Sequence, residues 1–184
     1  MLKIKSPINE NKNFDNLSLK EKTPILKLNI RGKANNKDFT SAIGKILGII
    51  LPLEVGNIVS KENISIITTG PNEWLIISNN KDNFEDHLEK TLFENISKNN
   101  LGAVTNVTDQ FTIFSLKGSN TLEVLSKSSP FDFETLPNNF SAQTILNNID
   151  ITVVKKDNKN VDLLVRRSFS NHLWSWLSDS ARFL

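Results

Sequence analysis

"VDLLVRRSFSNHLWSWL", Val161–Leu177, reads as a short strand, two adjacent arginines, a polar break and a helix that carries two tryptophans. The same order occurs once before. "NEWLIIS" (Asn72–Ser78) is a strand, and "NFEDHLEKTL" (Asn83–Leu92) is a helix, with Asn83 as its cap and Phe84, Leu88, Leu92 and Ile96 on one face. Glu73-Trp74-Leu75-Ile76 lines up with Asp162-Leu163-Leu164-Val165. The same spacing sets Phe84 against Leu173 and Leu88 against Leu177.

The repetition extends upstream. "ILKLNIRG" (Ile25–Gly32) alternates apolar and polar residues and ends on glycine, as does "FTIFSLKG" (Phe111–Gly118). A helix is predicted from Asp38 to Ile49, with Phe39, Ile43, Ile46, Leu47 and Ile50 at helical spacing, stopped by Pro52. Its counterpart is "SNTLEVLSKSSP" (Ser119–Pro130), again closed by proline. "NISIITT" and "EWLIIS", joined by the turn Gly70–Asn72, match "IDITVVKK" and "VDLLVRR". The second half carries an insertion, "FDFETLPNNFSAQTIL".

A period of about 85 residues is too long for a solenoid. It predicts an α+β fold of two similar β-α-β-β-α halves, about residues 25–98 and 111–184, in a single domain over 23–184. Residues alone leave open whether the halves exchange strands. Residues 1–22 form a polar N-terminal arm, expected to dock on something or stay loose.

Composition narrows the chemistry. The chain of 184 residues has no cysteine, which excludes disulfides, Cys-ligated zinc, iron–sulfur clusters and thiol catalysis. Net charge is +2, without the basic stripe of a nucleic-acid binder. The nearest approach, "VVKKDNKN" (Val153–Asn160), reads as a solvated turn. Doubled asparagines (Asn35-Asn36, Asn79-Asn80, Asn99-Asn100, Asn138-Asn139, Asn147-Asn148) read as the drift of an AT-rich genome, without a function. The N-terminus lacks the apolar core of a signal peptide, and the run Ala42–Val55 is too short and interrupted to span a bilayer. A soluble, cytoplasmic protein is expected.

Catalytic apparatus is sparse. His87 and His172 lie in helices, flanked by acidic or polar residues, and read as surface histidines, because no further cluster of His, Asp or Glu has the spacing of a metal site. No Gly-rich phosphate loop and no nucleophile elbow occur. Gly44 and Gly48 form a G-x-x-x-G read as close helix–strand packing. The carboxylate pairs Glu85-Asp86 and Asp132/Glu134 lie on a solvated helix face and in a loop, with no cause for shifted proton affinity. No catalytic, cofactor-binding or metal-ligating residue is expected.

The motifs G-P-x-E-W-L, V-T-D-x-x-x-x-x-x-L-x-G, S-P-F-D-F, A-Q-T-x-L and D-L-x-V-R-R-S-F-x-x-x-L-W-x-W-L occur in order from about Val55 to the C-terminus. In these the chain resembles the gamma subunit of heterotetrameric sarcosine oxidase. The resemblance implies a fold like the folate-binding domain of the glycine-cleavage aminomethyltransferase. It implies an accessory, non-catalytic chain in a complex that demethylates sarcosine to glycine, forming hydrogen peroxide and methylenetetrahydrofolate. Its partners are then the alpha, beta and delta subunits, which hold FAD, FMN, NAD, tetrahydrofolate and zinc, while this chain binds none of them. The alternative is a free-standing folate-binding protein of the aminomethyltransferase-like group. Against it, the acid-bearing glycine turn of aminomethyltransferases is replaced by "KKDNKNVDLL", with only Asp162, inside a strand, where the final acid falls. A third reading is an α+β interaction domain with unrelated partners.

Candidate partner contacts are Trp174, Arg166 and Arg167. In the last helix Phe169, Leu173, Trp176, Leu177 and Ser180 share a face, so Trp176 is assigned to the core. Trp174 lies about 100° from Leu173, at an edge suited to anchoring a partner. Trp74, inside an apolar strand, is assigned to the core. If the strand runs through both arginines they point to opposite faces. One then covers the sheet edge and the other pairs with an acid such as Asp162 or Glu73, or one forms a bidentate bridge to a partner carboxylate.

Overall fold

The computed structural model describes residues 5–22, 25–79 and 84–184, without the side chains of residues 84–86. A hairpin comes first, β1 (Asn11–Phe14) and β2 (Leu17–Glu21). The first half follows as β3 (Leu26–Gly32), α1 (Lys37–Leu47), β4 (Ile58–Lys61), β5 (Ile64–Gly70), β6 (Glu73–Ser78) and α2 (Phe84–Leu92), the last continued by a π-helical turn over Phe93–Ser97. Then come β7 (Gly102–Asn106), β8 (Phe111–Lys117), α3 (Thr121–Ser126), β9 (Phe140–Leu146), β10 (Ile149–Asp157), β11 (Asn160–Arg166), a 3₁₀ turn (Arg167–Phe169) and α4 (Ser170–Ala181). The expected cap Asn83 and the side chain of Phe84 lie outside the described residues.

The fold is α+β, and the chain divides into two compact units. Ile25–Thr108 form one, and described residues 5–22 join Asp109–Leu184 in the other. The first unit holds a five-stranded antiparallel sheet in the order β4-β5-β6-β3-β7. Leu28, Ile30, Ile66, Trp74 and Ile76 of that sheet pack on Phe39, Ile43 and Leu47 of α1 and on Leu88, Leu92 and Ile96. The second unit holds a six-stranded sheet, β1-β2-β8-β11-β10-β9. Here Phe114, Leu116, Val153, Leu163 and Val165 meet Leu122 and Leu125 of α3 and Leu173, Trp174 and Leu177 of α4. Each such buried side chain contributes roughly 1.5–3 kcal/mol.

Each half gains an edge strand that periodicity left in a connection. β4 borders β5 as β9 borders β10, so the C-terminal part of the "FDFETLPNNFSAQTIL" insertion is a strand with a counterpart. The polar arm is also more than an arm, since residues 11–21 are sheet and Leu17 and Leu19 are core.

The halves do exchange strands. β2 leads into the first half yet pairs with β8 of the second, and β7 leads into the second half yet pairs with β3 of the first. The registers correspond, with Leu19 opposite Leu116 and Val104 opposite Ile30. The sheets also revise the internal alignment. Ile30 sits opposite Trp74, while its counterpart Leu116 sits opposite Val161, so Trp74 matches Val161 and not Leu163. A two-residue slip keeps every side chain on its own face, which is why the apolar pattern alone could not detect it.

Helix α1 stops earlier than Pro52. Gly48 takes the left-handed conformation (φ 64°) and its N–H bonds to Gly44 O at 2.8 Å, closing the helix. The G-x-x-x-G is therefore a helix terminator, and Ile50 falls beyond the helix, 89% exposed.

The asparagine pairs have structural work. Asn36 caps α1, its Oδ1 accepting from the N–H groups of Asp38 and Phe39. Asn16, Asn72, Asn100, Asn139, Asn147 and Asn148 all have positive φ, where asparagine is among the best-tolerated side chains. Asn147 and Asn148 (φ 50° and 59°) make the two-residue turn between paired Leu146 and Ile149, with the signature of a type I′ hairpin.

Candidate functional site

Strand β11 ends at Arg166, so the two arginines do not alternate along one strand. Arg167 opens the 3₁₀ turn, its N–H bonded to Gln110 O at 2.9 Å. Its guanidinium donates to the Lys5 carbonyl and lies 3.8 Å from Asp109 Oδ1. Neither acid expected for it is available. Glu73 holds Arg31 (3.1 Å) and Asn29 (2.6 Å), and Asp162 holds two lysines.

Arg166 is exposed, and its guanidinium has no ion-pair partner among the described residues. It borders an open cavity of about 420 Å³ on β8–β11–β10–β9, with Phe111, Ile145, Asp150 and Thr152. Such a cation beside half-covered apolar side chains is equipped to take a carboxylate in bidentate fashion.

Trp174 is turned inward, 4% exposed, whereas Trp176 is only partly buried. The expected helix face was rotated. Its inner stripe is Ser170, Leu173, Trp174, Leu177, Ser178 and Ala181, and two buried serines concealed it from a reading of hydrophobic residues. Ser170 is held by its hydroxyl contact with Thr112 Oγ1 at 2.7 Å. The Trp174 ring meets Phe114 (centroids 5.3 Å), its Nε1 donates to Glu10 Oε2 at 3.3 Å, and Lys12 Nζ stands 5.6 Å from the ring centroid. The indole thus ties the N-terminal hairpin to α4. Trp74 is core as expected, 1% exposed.

Asp162 lies in mid-strand and is buried. Lys22 Nζ approaches it to 2.6 Å and Lys156 Nζ to 3.0 Å. Burial alone would push its carboxyl up, but the two ammonium groups outweigh that and hold it below the ordinary value. Burial likewise pulls the Lys22 ammonium down, against the opposing attraction of Asp162. A carboxylate engaged on both sides has little left with which to grip a ligand.

The "VVKKDNKN" stretch is not a solvated turn throughout. Lys155 is 1% exposed, and its ammonium donates to the carbonyls of Phe133 (2.9 Å), Leu136 (2.7 Å) and Glu134 (3.4 Å). It fastens the loop before β9 onto the sheet, a role that alternation in sequence did not reveal. Asp157 turns the chain, accepting from Lys159 N–H and the Asn160 amide, and the Asn160 bond first of all lowers its carboxyl. His87 and His172 are exposed, bonded to Thr91 and Asn147. Among the described residues no group of three His, Asp or Glu stands ready for a metal ion, and no helix is long and apolar enough to cross a membrane.

A chain of the heterotetrameric sarcosine oxidase from Corynebacterium sp. U-96 superposes on this fold with a TM-score of 0.80 at 24% identity, covering 90% of this chain and 83% of that one. The glycine cleavage system aminomethyltransferase T from Bartonella henselae superposes with a TM-score of 0.67 at 12% identity, over 91% of this chain and 47% of that one. No curated protein sequence matches significantly. Residues 31–182 match the model of the sarcosine oxidase, gamma subunit family, and the chain belongs to that family.

Proposed function

We propose that this protein is the accessory gamma subunit of a heterotetrameric sarcosine oxidase, without catalytic residues of its own. The family match across residues 31–182 carries the reading. The partners are alpha, beta and delta subunits, and FAD, FMN, NAD, tetrahydrofolate and zinc reside on those chains in the cytoplasm. Asp162 supports an accessory role, because the acid nearest to a pterin-gripping position is neutralised by Lys22 and Lys156. Arg166 is the docking cation for a partner carboxylate, while Arg167 and Trp174 hold the segment that presents it.

Purification of the tagged chain from cells that produce the whole oxidase tests the proposal. The expected product is a four-chain complex with flavin colour, from which Arg166→Glu releases the tagged chain. Micromolar binding of tetrahydrofolate by the isolated chain in a calorimeter would overturn the accessory assignment in favour of a folate-binding protein.

A further inference from the structure

The segment Gly48–Val55, "GIILPLEV", presents apolar side chains to solvent from a backbone that is held in place. Ile49 and Leu51 are buried, while Ile50 is 89% and Leu53 60% exposed. The Pro52 carbonyl accepts from both Trp74 Nε1 (2.7 Å) and Thr68 Oγ1 (2.9 Å). Gly48 N–H bonds to Gly44 O at 2.8 Å, and Gly56 N–H to Thr68 O at 2.9 Å. The exposure is thus built in at three anchor points, so an incoming surface would find the segment already ordered.

Ile50 and Leu53 line a groove of about 660 Å³ against α1, together with Ala34, Gly44 and Lys45. No acidic side chain lines it. Lys45 is exposed with no ion-pair partner among the described residues, and Lys61 Nζ stands 3.4 Å from Gly48 O. An apolar floor with a cationic rim complements an apolar segment that carries a carboxylate. A symmetric pair of copies meeting here would set the same lysines against each other, which disfavours self-association. Two lysines are also too few for a nucleic-acid backbone or an anionic membrane surface.

We infer that the groove between α1 and Gly48–Val55 is a docking surface for an apolar, carboxylate-bearing segment of another subunit of the oxidase. This rests on the accessory-subunit reading above. The test is recovery of the assembled oxidase through a tag on this chain, comparing wild type, the double variant Ile50→Asp/Leu53→Asp, and Lys45→Glu. Both changes are expected to lower the co-purified flavin chains at least tenfold, with the melting temperature of the isolated chain little altered. Hydrogen exchange on the wild type supplies the second measurement, with slower exchange over residues 48–57 expected in the complex than in the free chain. Undiminished recovery of both variants, or unchanged exchange in the complex, overturns the inference while the accessory function stands. Wild-type chain that elutes alone or as a self-dimer overturns both.

Discussion

At the scale of single residues, the buried charges of this protein are structural. Lys155 satisfies three carbonyls of one loop, so its removal leaves buried acceptors unmet. Lys155→Met preserves the volume and isolates that polar effect. A loss of about 2–4 kcal/mol is expected in urea unfolding, with the midpoint shifted and the slope unchanged. Asp162 sets an acid limit on stability. Its folded carboxyl lies below the ordinary value of 3.8, so the unfolded chain binds its proton first as pH falls. The contribution is complete above about pH 5 and fades as the folded group is protonated. Asp162→Asn is expected to cost about 1–3 kcal/mol at neutral pH, discounted because Lys22 and Lys156 are partly solvated. The difference from wild type should shrink below pH 4 in unfolding experiments across that range.

Among elements, the N-terminal hairpin and the end of α1 depart furthest from a plain β-α-β-β-α unit. Leu19 is 1% exposed between β8 and the helices of its unit, and Leu19→Ala is expected to cost about 3 kcal/mol in urea unfolding. Gly48 has φ 64°, so Gly48→Ala is expected to cost about 1–2 kcal/mol for the left-handed backbone. The atom nearest to the added methyl is the mobile end of Lys61, which can move aside. A loss well above 2 kcal/mol would show that the Lys61 position matters in itself.

For the whole molecule, the exchanged strands mean that the second unit is not a contiguous piece of chain, since described residues 5–22 and Asp109–Leu184 build it while Ile25–Thr108 form the other. Ser18 pairs with Lys117, 99 residues later, so the second sheet needs the first residues of the chain to cover β8. Deletion of residues 1–22 is therefore expected to reduce soluble, folded protein more than tenfold, and a two-state chevron should show slow folding, as non-local pairing requires. Recovery of a stable truncated protein with unchanged circular dichroism would contradict this.

What the amino-acid order determined by itself was local and periodic. It set the repeat of strand, helix and strands, the α+β class, the burial of Trp74 and the family-bearing motifs near the C-terminus. These are legible because apolar spacing and turn residues act over a few positions. The strand exchange, the two-residue slip between halves, the inward turn of Trp174, the burial of Lys155 and the outward turn of Ile50 were decided only in three dimensions. Each depends on which distant strand or carbonyl comes to lie beside a residue. A pattern of period two reads the same after a slip of two, and a serine or lysine looks exposed until a partner for its polar atoms arrives from elsewhere in the chain.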